Sequence, residues 1–245
     1  MSSAPAAVTS ARFVATHSIL TLNAAHPYVA KSLADAHEMH RTVMSGFRGW
    51  VPDGERDARS QAGVLSTWTV DLKNARLVLV VQSRVPADWS HIPSAALADK
   101  PHTLTVDRTL RTGDTVGFRT VINPVYTRPR RDPETGRTLE RGRRIAHTRP
   151  EHVKGWFTRR LQAPGDPRNA PDGLPRIGAT ADPTTLGIRM LPTVTSATAR
   201  KGLRVVRAEI RGSLTVTDPS ALVEVLTQGL GHARAYSCGL LLTRE

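Results

Sequence analysis

The chain of 245 residues holds a single cysteine, Cys238. That excludes an intrachain disulfide and any zinc site built from cysteines alone. Aromatic residues make up only 4%, too few for the row of stacking platforms that grips an extended single strand. No run of about 18 apolar residues occurs, so no membrane-spanning helix is expected. Residues Met1 to Ser10 lack the basic start and apolar block of a secretory signal, and the expectation is a soluble, cytoplasmic protein. Acid is also scarce, with 21 Asp+Glu against 34 Lys+Arg and a net charge of +13.

Such an excess of base creates a long-range field for phosphates and predicts a polyanionic partner. Only five of the basic residues are lysines, leaving 29 arginines. The guanidinium is a planar fork that holds a phosphate through two bonds, whereas lysine is a point charge. With few aromatics to stack on bases, a folded nucleic acid gripped by backbone and shape fits better than an extended strand. Hydrophobic residues reach 39%, enough for packed cores.

Periodicity gives an α+β chain. A strand is expected over Ala11–Leu22, a helical stripe from Tyr28 to Phe47, and strands over Val64–Lys73 and Ala75–Val85. A short helix near Ser94–Ala98 and a strand over His102–Val106 would complete a ferredoxin-like βαββαβ unit. The order then recurs: strand Thr115–Ile122, helix Pro150–Leu161, strands Leu186–Val194 and Val205–Val216, helix Ser220–Gln228 and a closing strand Ser237–Thr243. Two tandem ferredoxin-like, RRM-like domains are therefore expected, over residues 1–108 and 109–245.

Three segments carry candidate chemistry. His37 and His40 lie three apart, on one side of the predicted helix, with Arg41 adjacent. Imidazoles titrate near neutrality, so one can accept a proton while the other donates. Arg41 would offset charge building on a phosphorane, although such a pair also suits a plain solvated helix face. The zinc signature His-Glu-x-x-His needs one more residue between the histidines, so metal chemistry is disfavoured and no cofactor is expected.

The second segment, Arg128–Arg149, has eight arginines against Asp132, Glu134 and Glu140. It reads as an exposed loop, or a hairpin turning at Glu134-Thr135-Gly136. Its candidate phosphate contacts are Arg128, Arg130, Arg131, Arg137, Arg141, Arg143 and Arg144, which Arg159 and Arg160 extend. The third, Gly229 to Gly239, follows the last helix. Gly229 and Gly231 would let backbone approach an RNA strand, with His232 and Arg234 beside them. The dinucleotide-binding fingerprint is excluded, because this turn leaves a helix and does not open one.

Read together, His37-Glu38-Met39-His40-Arg41-Thr42, Phe118-Arg119 with Asn123-Pro124, Val153-Lys154-Gly155-Trp156-Phe157 with Arg159-Arg160-Leu161, and Gln228-Gly229-Leu230-Gly231 with Cys238-Gly239-Leu240-Leu241 form one pattern. From about Ala11 to Leu242 the chain resembles the CasE family, the CRISPR repeat-processing endoribonucleases of the type I-E Cascade system. The resemblance implies a metal-independent endoribonuclease that binds the stem-loop of CRISPR precursor RNA and cuts at the 3′ base of the stem. Attack by a 2′-OH would leave a 2′,3′-cyclic phosphate and a 5′-OH. The enzyme would then stay on the mature crRNA among the other Cascade subunits.

The family's catalytic histidine falls on His40, as general acid or base. Some relatives carry a tyrosine at His37 and a lysine at Ser45, which leaves Arg41 as the candidate charge. A non-catalytic module for structured RNA is the rival. An RRM would need an aromatic-rich third strand, which neither Ala75–Val85 nor Val205–Val216 has.

Overall fold

The computed structural model describes residues 9–50, 57–131, 138–168, 173–196 and 202–244. The long alternating segment Ser10–Asn23 forms β1. It pairs antiparallel with β3 (Arg76–Ser83) and β4 (His102–Arg111), and β2 (Leu65–Asp71) flanks β3. The order β2-β3-β1-β4 is ferredoxin-like. A single 3₁₀ turn, Ser94–Ala96, stands in place of the expected second helix. Strand β4 runs five residues beyond Val106 because it follows β1 to the Ser10–Arg111 pair. The second sheet therefore starts at Thr115.

The stripe from Tyr28 to Phe47 is not one helix. It is α1 (Pro27–Ala34) and α2 (Ala36–Met44), closed by the 3₁₀ turn Ser45–Phe47. Asp35 makes the break, its extended backbone ending α1 and its carboxylate capping α2. A short α3 (Ala58–Gln61) precedes β2.

In the second half, β5 (Thr115–Ile122) leads into a hairpin of β6 (Val125–Arg131) and β7 (Thr138–Ala146). The arginine-rich segment is thus a ladder for most of its length, while its expected turn lies outside the described residues. After α4 (Pro150–Thr158) come β8 (Ala179–Thr180), β9 (Gly187–Ser196), β10 (Leu203–Val216), α5 (Pro219–Gln228) and β11 (Leu241–Arg244). Strand β5 lies between β11 and β10, with β8 and β9 on the far side of β10, and this sheet is ferredoxin-like as well. The closing strand starts at Leu241, later than expected, because Arg234–Tyr236 coils into a 3₁₀ turn first.

The halves share a core. Leu20, Leu22, Leu77 and Leu79 point from one face of the first sheet onto Val29, Met39 and Val43 of α1 and α2. The opposite face carries Phe13, Ala15 and Leu110, which join Trp156, Phe157, Leu222 and Leu226 in the largest cluster. The Gln82 side chain donates to the Leu226 carbonyl at 2.7 Å across this seam. On the other side of the second sheet, Val121, Val205 and Cys238 form a smaller buried group with Tyr236 against it. There the Arg207 guanidinium stacks 4.1 Å above Trp68 of β2. Among the described residues, no helix is long and apolar enough to cross a membrane.

A core spanning both halves predicts that they unfold together. Leu222→Ala, at a fully buried position, is expected to cost about 2–5 kcal/mol. Urea titration should show a lower midpoint, with coincident far-UV dichroism and tryptophan fluorescence in both proteins.

Candidate active site and cationic groove

Helix α2 is fixed from three sides. At its head, Asp35 Oδ1 accepts from the amides of His37 at 2.7 Å and Glu38 at 3.3 Å. Asp35 Oδ2 accepts from Ser196 Oγ at 2.8 Å, at the end of β9 in the other half. Burial opposes the Asp35 charge, but these hydrogen bonds outweigh it and hold the carboxyl below its usual range. Beneath, Met39 and Val43 enter the core. Beside it, Thr42 Oγ1 meets Ser32 Oγ of α1 at 2.8 Å.

This leaves His37 and His40 half-buried on one flank, where Tyr236 of the 229–239 turn meets both rings. Burial, then the charge of Arg59, then that of His37, lower the His40 pKa; a hydrogen bond to the Ala235 backbone acts the other way. A bond that favours the protonated ring is one in which the ring N–H donates to the carbonyl. One nitrogen is thereby committed, and the other keeps a lone pair in the neutral ring. Burial and the Asp35 carboxylate hold the Tyr236 phenol above its ordinary range, so it stays protonated.

Arg41 does not face this flank as a free cation. It pairs with Glu38, which also receives Lys31 Nζ at 3.1 Å. The guanidinium that acts on His40 is Arg59 of α3, whose Nη1 donates to the Val64 carbonyl at 2.8 Å. Burial and then Arg234 lower the Arg59 pKa, so a second guanidinium lies near Arg59. Sequence pattern marks neither Arg59 nor Tyr236. Arg59 lies in a polar stretch without periodicity, and nothing local ties Tyr236 to a helix some 200 residues earlier.

From Arg234 the positive charge continues toward the hairpin. His232 has its pKa lowered by burial and by Arg144, Arg234 and Arg160. His147 is lowered by burial, then His152, Arg159 and Arg160. Strand β7, the end of α4 and the glycine-rich turn therefore converge. A cavity of about 580 Å³ opens here, lined by Arg160, Arg168, Arg176, Gly229, Gly231, His232 and Arg234. Arg128, Arg144 and Arg159 are exposed. Arg160 is buried, its guanidinium 3.5 Å above the Trp156 ring and its Nη1 donating to the Trp156 carbonyl at 2.6 Å. Arg137 lies outside the described residues, as do the side chains of Arg130, Arg131, Arg141 and Arg143.

The glycines answer first to the protein itself. Gly229 has φ +79°, and a Cβ there would sit 2.8 Å from Leu65 Cδ2; at Gly231, φ +76°, it would meet the Trp156 ring at 3.1 Å. On the side a Cβ would take, these glycines pack against side chains of β2 and α4, while their other side lines the cavity.

Known proteins share this fold over nearly the whole chain. The family model for CRISPR associated protein matches residues 17–244. The CRISPR-associated endoribonuclease Cse3 of Thermus thermophilus is 26% identical over 227 residues, covering 91% of this chain and 96% of that protein. Thermus thermophilus Cse3 bound to an RNA representing a pre-cleavage complex superposes with a TM-score of 0.60 at 23% identity, covering 95% of this chain and 100% of that one. A chain of a CRISPR RNA-guided surveillance complex in a pre-nicking state gives 0.52 at 20% identity, over 92% and 98%. The two solved structures share the tandem ferredoxin-like fold with this chain.

The lowered pKa of His40 has a sign that can be checked. A buried ring that prefers to be neutral contributes stability that is complete above the ordinary imidazole value, near 6.5. That contribution is lost as pH falls through the lowered folded value. NMR titration of the imidazole C–H signals should place the His40 midpoint below 6.5. His40→Gln should remove part of the acid destabilisation seen in urea.

Proposed function

Because the chain belongs to the CRISPR associated protein family, as the match over residues 17–244 establishes, we propose that it cleaves CRISPR precursor RNA as a metal-independent endoribonuclease. The observation that carries this reading is a half-buried imidazole pair beside Arg59, with Arg234 next in line where a cationic groove begins. The substrate is the repeat hairpin, cut at the 3′ base of its stem. The product stays bound as crRNA within Cascade, in the cytoplasm. The endoribonuclease activity of the Thermus relative supports this, as does the likeness to a surveillance-complex chain.

The chemistry needs four things. They are in-line placement of the 2′-oxygen, an acceptor for its proton, a donor for the departing 5′-oxygen, and positive charge at the phosphorane. His40 is neutral at physiological pH and takes the 2′-OH proton. As the 2′-oxygen bonds to phosphorus, the P–O5′ bond breaks and His37 protonates the leaving oxygen. A 2′,3′-cyclic phosphate and a 5′-OH result, and no step calls for a metal. Arg59, backed by Arg234, takes the charge-stabilising role expected of Arg41, which Glu38 occupies.

The stem is held by shape and phosphates, since the A-form major groove is too narrow for ordinary side-chain readout. We assign its path to the exposed arginines of the hairpin, Arg128 and Arg144, together with Arg159, His232 and Arg234. By sequence alone, Arg130, Arg131, Arg137, Arg141 and Arg143 are counted with them in this reading. Arg160 supports it from below by its stack on Trp156. The two halves, separated at residue 108 by the sequence and at residues 112–114 by the strands, act as one body around the site.

His40→Ala should abolish cleavage of a labelled repeat hairpin while leaving binding nearly intact, and EDTA should leave the wild type active. A 2′-deoxy residue just upstream of the cut should block the reaction. Cleavage of the deoxy substrate, or full turnover by His40→Ala, would overturn this mechanism and favour a non-catalytic RNA-binding module.

Neutralising Arg128 and Arg144 together should weaken binding and reduce the slope of log K against log salt by about 1 for each phosphate no longer neutralised. An unchanged slope would return the hairpin to plain surface.

A further inference from the structure

The imidazole pair belongs to the first half of the chain, yet an aromatic ring from the second half abuts both members. The Tyr236 centroid is 5.5 Å from that of His37 and 6.4 Å from that of His40, with interplanar angles of 78° and 64°. Edge-to-face contact at these distances is attractive and directional. One ring therefore restrains two others.

The turn that carries Tyr236 is held in an uncommon shape. Ala233 and Ser237, on either side of Arg234–Tyr236, have φ +59° and +58°. Residues with a Cβ avoid this region, and such conformations persist only where the surroundings over-determine them. Here they do. The Ser237 hydroxyl meets Ser66 Oγ of β2 at 2.9 Å in a buried contact between the halves. The Gly239 amide donates to the Val121 carbonyl at 2.6 Å, and Arg234 Nη1 donates to the Gln228 carbonyl at 2.7 Å. Val121, Val205 and Cys238 back the tyrosine.

We propose that Tyr236 is a positioning residue for the imidazole pair. Its ring, fixed by the clamped turn, holds His37 and His40 at angles that let both address a single phosphate, and it keeps water from one side of His40. The charged groups around the pair are Asp35 at the head of α2, Arg59 of α3 and Arg234 on the turn itself. Glu38 on α2 pairs with Arg41 of the same helix and with Lys31 of α1. The inference rests on His37 and His40 being the proton carriers. It adds that their geometry is set by a side chain from the other half. Misplacing reacting groups by about 1 Å costs on the order of 10²-fold in rate.

Three measurements on Tyr236→Ala, Tyr236→Leu and Tyr236→Phe test this: single-turnover cleavage of a repeat hairpin, hairpin affinity, and the NMR titration of His40. Tyr236→Ala is expected to slow cleavage by roughly 10²-fold with affinity nearly unchanged. Its His40 midpoint should move up toward the ordinary imidazole value as water reaches the ring. Tyr236→Leu, which fills much of the volume without an aromatic edge, should also be slow. Tyr236→Phe should rescue most of the rate and restore the titration.

A wild-type rate in Tyr236→Ala would sink the proposal, and so would a His40 titration that the alanine does not move. A phenylalanine variant as slow as the alanine would do the same, by giving the role to the hydroxyl. If the wild type cuts no repeat hairpin at all, the ribonuclease reading fails, while the His40 titrations still decide whether Tyr236 sets the ring's environment.

Discussion

The seam between the halves governs most of what this molecule does, and its tightest stretch is the docking of the 229–239 turn against α2 and β2. Two non-glycine residues of that turn sit in the left-handed region, at a cost of roughly 1–2 kcal/mol each. The buried Ser66–Ser237 contact, the filled space around Gly229 and the ring contacts of Tyr236 oppose that cost. At the other end of α2, Asp35 does two tasks with one carboxylate. Oδ1 starts the helix, and Oδ2 holds Ser196 of the second half. The imidazole pair therefore rests on a helix whose start and flank are both set by distant sequence.

Local pattern reveals most of the strands and most helices. Alternation over Ser10–Asn23 and the runs around Leu79 and Ile210 are strong signals that the core confirms. The helix break at Asp35 has no glycine or proline to announce it; a carboxylate accepting two amides is enough, and periodicity continues across it. The hairpin is ambiguous in sequence because exposed arginines on a free-standing ladder show no apolar alternation. In the site, the histidine pair is readable from its spacing. The same spacing offers Arg41 as a free charge, whereas Glu38, three residues earlier, takes that charge for itself. Arg59 and Tyr236 arrive by tertiary folding alone.

The covered sheets explain why so few aromatics suffice. An RRM lays a single strand across the open face of its sheet. Here the face of the first sheet that is free of its own helices is packed by α5 and its neighbours, and the second sheet bears Trp68 of β2 and Tyr236 on its corresponding face. What remains accessible is a groove of guanidiniums and imidazoles along β7, the end of α4 and the glycine-rich turn. Such a surface matches the regular phosphate spacing of a rigid stem better than a flexible strand.

Cys238 lies beneath this seam, wholly buried, with burial pushing its thiol up to about 12. Being the chain's sole sulfhydryl, it stays silent toward alkylating reagents while the turn is seated and reacts only when the turn lifts. The protein thus carries an intrinsic chemical clock for the parting of its two halves, with no engineered label required.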